Sequence, residues 1–358
     1  MSVSEKDHIR ALSQLVLSPD KASEALQFVA SLGEGDREQL MKLADSHHVV
    51  MRAFSVLHET AQHEGNERIA YWALRAIELE TSRIGTALAH LNNICRELEA
   101  NGCPVVVMKS LDHWPDLGND LDLYSTATER QVVEVFTSKL RAEVENRSWG
   151  DRLAQKWNFK IPGLRESVEV HVQRLGQTGE HTAMAQRLVS RRVQRELMGF
   201  NFPVPAPEER VITATLQRMY RHFYFRICDI ANTAAMVEQK LIDYRELEKA
   251  AELGGIWPGV CTYLKIVSDY VEEYRGEGLL MPVNVFETAV CGGEQVHPKN
   301  LFLRVSIMPH GAQLYAKEVK SSAMRGDVGA TFRLSLLPPL ASVAALAFKM
   351  TGSDKGIW

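Results

Sequence analysis

The chain has few cysteines, and their spacing does not suit a metal site. It contains five, an odd number, and no CxxC pair. A disulfide framework and a cysteine zinc site are therefore not expected. Free thiols are typical of a reducing compartment, so we expect a cytoplasmic location.

Long apolar runs are also missing. The N-terminus, MSVSEKDHIR, is charged and has no signal core, which argues against secretion. The longest charge-free apolar run, residues 334–348, contains two prolines and is shorter than the ~20 residues of a membrane-spanning helix. We expect no transmembrane segment. We interpret this run as packed on the protein, with a peripheral membrane contact as the alternative.

No excess of positive charge is present. The net charge is −4, so no global field draws the protein towards nucleic acid, although a local basic patch would still permit RNA binding. The 358 residues, 45% of them hydrophobic, can bury a substantial core and exceed one typical compact domain. Two or three structural units are expected.

Helical periodicity dominates the first hundred residues. The longest pattern runs from about residue 66 to 100, and its apolar positions, such as Ile84, Leu88 and Leu91, recur every three or four residues. Asn101-Gly102 then provides a stop signal. This region is predicted to be helical throughout.

Patterns typical of strands follow. PVVVM at 104–108 predicts a buried strand, and DLDLY at 120–124 alternates between polar and apolar residues. Two more strands are predicted at 157–161 and 168–172, after a helix at 132–140. From residue 207 the pattern is again mainly helical. The predicted helices there are 211–224, 227–240, 244–253 and 261–274.

These elements predict an α+β fold, with a small mixed sheet flanked by N-terminal helices and a C-terminal helical domain. The tail from residue 276 has a mixed pattern. The predicted divisions are an N-terminal helical region, 1–100, an α+β catalytic domain, 101–200, and a mainly helical C-terminal domain, 201–358.

Three carboxylates are the candidate functional residues. Strand side chains alternate between faces, so Asp120 and Asp122 share one face of DLDLY. Glu169 and His171 likewise share one face of VEVHV. If these strands are neighbours in one sheet, the three acids converge on one place. The alternative is that both motifs are solvated polar faces of edge strands, because each motif alone is common.

A converged cluster would be costly without a counter-charge, since like charges at short range disfavour ionisation. A divalent cation removes that cost, and Mg²⁺ is commonly bound by one or two carboxylates together with substrate phosphates. Asp120 and Asp122 are then metal ligands, and Glu169 is a ligand or a base for an acceptor hydroxyl.

The order of these motifs resembles the polymerase-β-type nucleotidyltransferase superfamily. More narrowly, it resembles a bacterial group of uncharacterised nucleotidyltransferases with LKG, then DIDLL, then an acid two residues before a histidine. The resemblance extends roughly over residues 80–270. The matching segments are Met108-Lys109-Ser110, Asp120-Leu121-Asp122-Leu123-Tyr124, Glu169-Val170-His171, His222, Asp229-Ile230-Ala231 and Asp243-Tyr244.

The resemblance implies a nucleotidyltransferase-type sheet, one or two Mg²⁺ ions on Asp120, Asp122 and Glu169, and a nucleoside triphosphate donor, with ATP expected. Lys109 and Ser110 would contact the nucleotide. The family usually has glycine where this chain has Ser110, and its loop before the DxD often carries an arginine that is missing here. Ser110 gives up some backbone freedom, and Lys109 would compensate by contacting a phosphate.

Two further sets of residues are candidates for nucleotide contact. His171 is either a contact to the triphosphate or acceptor, or a structural histidine bonded to a neighbour. The segment 218–226, RMYRHFYFR, interleaves bases with aromatics, and Arg221, His222 or Arg226 is the candidate phosphate or RNA contact within it, with Arg226 chosen as the site residue. The alternative is a helix with its aromatics in the core and its arginines in solvent.

The sequence thus predicts a nucleotidyltransferase that moves a nucleoside monophosphate from a triphosphate to an unidentified acceptor, which is a small molecule, a peptide or protein, or RNA. The alternative is a catalytically degenerate protein of the same fold that binds a nucleotide or a partner. Ser110 and the missing loop arginine favour this alternative; the three carboxylates favour the enzyme.

Overall fold

Helices from both ends of the chain enclose a sheet formed by its middle, which confirms the predicted α+β class. The computed structural model describes residues 4–343. Within them the helices are α1 (Glu5–Leu17), α2 (Ala22–Ser31), α3 (Glu34–Ser46), α4 (Val50–His63), α5 (Glu67–Ala100), α6 (Glu129–Ser138), α7 (Trp149–Leu153), α8 (Ala183–Ser190), α9 (Pro207–Thr215), α10 (Ile227–Glu238), α11 (Tyr244–Glu252), α12 (Trp257–Arg275), α13 (Val283–Thr288), α14 (Ala312–Met324) and α15 (Val328–Ser335).

Strands occupy the middle of the chain and recur near its C-terminal end. In the same residues they are β1 (Val105–Met108), β2 (Asp120–Ser125), β3 (Glu143–Val144), β4 (Lys156–Lys160), β5 (Ser167–Val172), β6 (Val193–Leu197), β7 (Phe200–Val204), β8 (Tyr224–Phe225), β9 (Val296–Lys299) and β10 (Phe302–Val305).

The central sheet has the order β1-β2-β5-β4-β3. Strand β2 pairs antiparallel with β1 and parallel with β5, while β4 pairs antiparallel with both β5 and β3. The predicted alternation holds on β2, since Leu121 and Leu123 are fully buried. The polar residues of β2 and β5 therefore lie together on the opposite face.

Helix α5 begins at a capped end and spans two hydrophobic cores. The Asn66 side chain accepts a hydrogen bond from the Ile69 N–H, which satisfies one free amide of the first turn. The N-terminal part of the helix, with Ile69 and Ala73, packs in a core shared by α1 to α4 and the C-terminal helices. Its C-terminal part, with Leu88 and Leu91, packs on the sheet.

The predicted helix 211–224 is confirmed as far as His222 and is wrong only for its last two residues. Helix α9 ends at Thr215, a π-helical stretch continues from Leu216 to His222, and Phe223 adopts a left-handed conformation with φ 52°. The chain then enters β8, which pairs with β10 in a three-stranded sheet. The left-handed Phe223 ends the helix and changes the direction of the chain, and the segment around it lines a cleft.

Several elements were not predicted. They include the hairpin β6–β7, which packs on β1 and α5, and the C-terminal sheet of β8, β10 and β9. No helix in residues 4–343 is both long and apolar enough to cross a membrane. Part of the apolar run at 334–348 lies outside the described residues.

Candidate active site

The sheet brings two of the candidate acids into register. Asp122 on β2 lies opposite Glu169 on β5, in a parallel pairing. Asp120 lies two residues earlier on the same face, at the exposed start of β2. All three acids line one cleft of about 800 Å³. The predicted convergence of the two motifs is therefore observed.

Each of the two paired acids has its own lysine. The Lys109 Nζ lies 2.6 Å from the Asp122 Oδ1 and 4.0 Å from the Glu169 Oε1. The Lys156 Nζ lies 2.7 Å from the Glu169 Oε2 and 3.1 Å from Asp151. The protein thus supplies part of the counter-charge that the acids require.

These surroundings separate the two acids in their titration. Burial, together with repulsion from Glu169, raises the pKa of Asp122 despite the attraction of Lys109. Burial also acts to raise the pKa of Glu169. The hydrogen bond from His171 and the charges of Lys156 and Lys109 outweigh it and hold that pKa well below its usual value. Glu169 is therefore ionised at neutral pH.

His171 serves as a partner of Glu169. Its Nε2 lies 2.7 Å from the Glu169 Oε1, and its ring is buried. The ring also lines a second, mainly apolar pocket of about 510 Å³ that adjoins the cleft. Of the two roles predicted for His171, the structure shows this bond to a neighbour.

The turn between β1 and β2 is strained at Lys109. This residue has φ 54° and ψ −56°, in a region that favours glycine. Ser110 begins a 3₁₀ turn and is not left-handed. Ser110 therefore adopts a conformation that does not require glycine. Its hydroxyl instead accepts a 2.7 Å hydrogen bond from the Asp122 N–H and donates one to the Asp120 carbonyl.

Two arginines from the N-terminal helices fix the loop before the DxD motif. Arg83 on α5 donates to the carbonyls of Leu117 and Gly118. Arg52 on α4 donates to the carbonyls of His113 and Trp114. The loop that carries no arginine of its own is thus positioned by arginines distant in sequence.

The cleft that holds the acids is also lined by basic residues. Arg221 and Arg226 line it, and within residues 4–343 neither forms an ion pair with a carboxylate. Arg226 is also the N-cap residue of α10, and its main-chain N–H donates a hydrogen bond to the Asp229 carboxylate. The interpretation that places the arginines of 218–226 in solvent is wrong for Arg218. Its side chain is fully buried and pairs with Asp229 at 2.7 Å.

Three histidines line the same cleft and stay neutral. Burial and neighbouring arginines lower the pKa of His222 to about 2 and the pKa values of His48 and His113 well below the usual value. The arginines therefore make this part of the cleft electropositive, which suits a polyanionic ligand.

A divalent cation fits part of this donor set. Ligand atoms of Asp122, Glu169 and His171 lie within 4.8 Å of one another. Two carboxylate oxygens suit Mg²⁺, but Lys109 must first leave Asp122. Asp120 lies outside this group of three.

The sequence reasoning missed Lys156. It begins a strand, KWNFK, in which Lys156 and Asn158 alternate with two aromatic residues. This alternation, by the same rule as for DLDLY, places the lysine on the face of the acids. Arg221, one of the three candidates in 218–226, lines the cleft as Arg226 does.

Comparison with known proteins gives a family and a similar solved structure. A crystal structure of an antigenic nucleotidyltransferase-like protein from Paracoccidioides brasiliensis aligns with 57% of this chain and 97% of its own, at 15% identity and a TM-score of 0.33. No curated protein matches the sequence. The sequence model of the family described as uncharacterised nucleotidyltransferase matches residues 33–271, which is more than half of the chain. The chain therefore belongs to this uncharacterised nucleotidyltransferase family.

Proposed function

We propose that the protein is a Mg²⁺-dependent nucleotidyltransferase. It transfers a nucleoside monophosphate from a nucleoside triphosphate, with ATP as the expected donor, to an acceptor and releases pyrophosphate. The observation that carries this proposal is the composition of the cleft. Paired acids on β2 and β5 line it together with two arginines, which have no carboxylate partner within residues 4–343. Because all five cysteines are free thiols, we place the protein in the cytoplasm.

The basic residues would bind the triphosphate. Arg221 and Arg226 line the same cleft as the acids, and each can form charge-assisted hydrogen bonds with phosphate oxygens. Lys109 pairs with Asp122 in the free protein and is near enough to the same cleft to contact a phosphate when nucleotide binds. Ser110 holds the main chain of β2 in place through its two hydrogen bonds.

The acids would have distinct roles. Asp120, Asp122 and Glu169 would hold Mg²⁺, with His171 fixing the Glu169 carboxylate. When bound, the metal supplies charge neutralisation at the triphosphate and the leaving oxygen. Glu169 would be a metal ligand or the base for an acceptor hydroxyl. Its lowered pKa keeps it ionised and favours the ligand role, because a base works best with a pKa near the working pH.

The acceptor belongs to one of three classes: a small molecule, a peptide or protein, or RNA. The apolar pocket beside His171 opens next to the acids and offers room for part of an acceptor. The net charge of −4 does not favour RNA.

One observation favours a second candidate function. Lys109 and Lys156 already neutralise Asp122 and Glu169 without any metal, as in a protein that binds a nucleotide or partner but does not transfer it. In that case the basic cleft would bind a triphosphate without Mg²⁺.

Isothermal titration of ATP, GTP, CTP and UTP, with and without Mg²⁺, separates the two. The proteins are the wild type and the Asp120→Ala/Asp122→Ala double variant, with exposed Glu134→Ala as the control. We expect Mg²⁺-dependent binding that the double variant loses and the control keeps. Binding that ignores both Mg²⁺ and the double substitution would support the degenerate protein, and no binding at all would contradict the proposal.

A further inference from the structure

A second cluster of metal-binding side chains lies outside the cleft. Glu180, His181 and Glu318 are all buried, and their ligand atoms lie within 4.8 Å of one another. Glu180 and His181 follow β5, whereas Glu318 lies on α14. The cluster therefore joins the loop after the central sheet to a C-terminal helix.

The distances between the ligand atoms suit a metal ion with tetrahedral coordination. The His181 Nε2 lies 3.0 Å from the Glu318 Oε1 and 3.8 Å from the Glu180 Oε1. Ligands bound at about 2.1 Å in a tetrahedron are separated by about 3.4 Å, which falls between these two values. One imidazole nitrogen and two carboxylate oxygens form a donor set that suits Zn²⁺.

The hydrogen bonding leaves two of these atoms without partners. The His181 Nε2 and the Glu318 Oε1 are buried, and neither makes a hydrogen bond of acceptable geometry, although they lie 3.0 Å apart. Buried polar atoms are normally satisfied, and an unsatisfied pair in contact is costly. A shared cation would satisfy both atoms.

The third ligand is held in place by its own loop. The Glu180 carboxylate accepts hydrogen bonds from the main-chain N–H groups of Gln177 and Thr178 and from the Thr178 hydroxyl. Gly176 has φ +96°, and a Cβ at this position would lie 2.2 Å from the same carboxylate. The loop thus holds the Glu180 carboxylate in place, and the Oε1 of this carboxylate lies near the His181 Nε2.

We propose that Glu180, His181 and Glu318 bind one Zn²⁺ ion, with a water oxygen as the fourth ligand. The ion has a structural role. It ties the loop that lines the apolar pocket to α14, so the pocket wall and the C-terminal helices are fixed to each other.

The test uses the full-length protein, equilibrated with micromolar Zn²⁺ and then freed of loosely bound metal on a chelating resin. Zinc content is measured by mass spectrometry. The Asp122→Asn/Glu169→Gln variant removes the acids of the cleft and should keep one equivalent of zinc. Adding Glu318→Gln to it should remove that equivalent and raise the Kd by about 100-fold or more. Exposed Glu287→Gln is the matched control and should change neither value.

A second readout reports the coordination. Co²⁺ in place of Zn²⁺ should give the visible absorption of a tetrahedral centre in the cleft variant, and Glu318→Gln should abolish it. Retention of less than a tenth of an equivalent of zinc by the cleft variant would overturn the proposal. So would equal zinc content with and without Glu318→Gln. If Glu318→Gln fails to fold, as judged by circular dichroism, His181→Gln replaces it, and the zinc content of the cleft variant alone still decides.

Discussion

Asp122 and Glu169 face each other in register across the parallel strands β2 and β5. Two carboxylates held opposite each other by paired strands need positive charges beside them. Each has a lysine Nζ within 2.7 Å of one of its oxygens. The free protein therefore keeps its acids paired, and a metal ion that binds Asp122 must displace the Lys109 ammonium group.

The first prediction concerns Asp122→Asn. We expect nucleotidyl transfer to fall by about 100-fold or more, because the variant loses a charged oxygen ligand facing the cleft. Burial and Glu169 raise the pKa of Asp122, so its ionised form costs folding free energy. The free energy of unfolding should stay equal or rise slightly, as measured by urea denaturation. Glu134→Gln serves as the control, and full Mg²⁺-dependent turnover in Asp122→Asn would refute the assignment.

A second prediction isolates the strain at Lys109. Lys109→Ala and Lys109→Gly both remove the ammonium group, so their difference reports the backbone alone. Because φ is 54° at this position, the glycine variant should be more stable than the alanine variant by about 1 kcal/mol. Elsewhere glycine is the less stable of the two, so an alanine variant that is equal or better in urea denaturation would contradict the strained turn.

Ser110 gives a third prediction. Ser110→Ala leaves the Asp122 N–H without its 2.7 Å partner, at a cost of about 1–3 kcal/mol in the free energy of unfolding. Ser110→Gly introduces the residue that is typical of the family this chain resembles. It should be no more stable than Ser110→Ala, because Ser110 is not left-handed. Ser110→Thr keeps the hydroxyl and is the control. A glycine variant as stable as the wild type would show that the hydroxyl contributes nothing.

The fourth prediction is a pH dependence at His47. Burial, helped by Arg226, lowers the pKa of His47 to about 3, and its Nδ1 accepts a hydrogen bond from the Ile227 N–H. The unfolded chain therefore binds the proton first as the pH falls from 6.5 towards 3. The neutral ring contributes stability that is fully present above pH 6.5 and is lost progressively below it.

His47→Asn keeps an acceptor at the δ position but does not titrate. Between pH 7 and pH 5 the wild type should lose about 2 kcal/mol more of its free energy of unfolding than the variant. Urea denaturation at the two pH values measures this difference, and identical losses would show that His47 does not carry the dependence.

Local patterns in the sequence predicted the acids and their common face. The alternation in DLDLY and VEVHV depends only on neighbouring residues, and the structure places Asp122 opposite Glu169 as the two strands require. The long helix α5 was predicted with nearly its observed bounds, because its apolar period and its Asn101-Gly102 end are also local signals.

Contacts between distant segments were not predictable in this way. Lys156 reaches Glu169 because β4 pairs antiparallel with β5, and nothing near Lys156 in the sequence specifies that pairing. Strand β8 has two residues and exists through its pairing with β10. The interpretation of 218–226 as one helix is therefore correct only as far as His222. The left-handed Phe223 ends the helix at a residue type that local rules do not flag.

Helix α5 links the two hydrophobic cores along about 51 Å of continuous backbone. The N-terminal part of the helix packs in one core and its C-terminal part in the other, so loss of the whole helix would expose apolar surface in both cores. The α+β segment expressed without this helix would present an uncovered apolar sheet to water and would tend to aggregate. The N-terminal helices are therefore part of the folding unit that holds the cleft together.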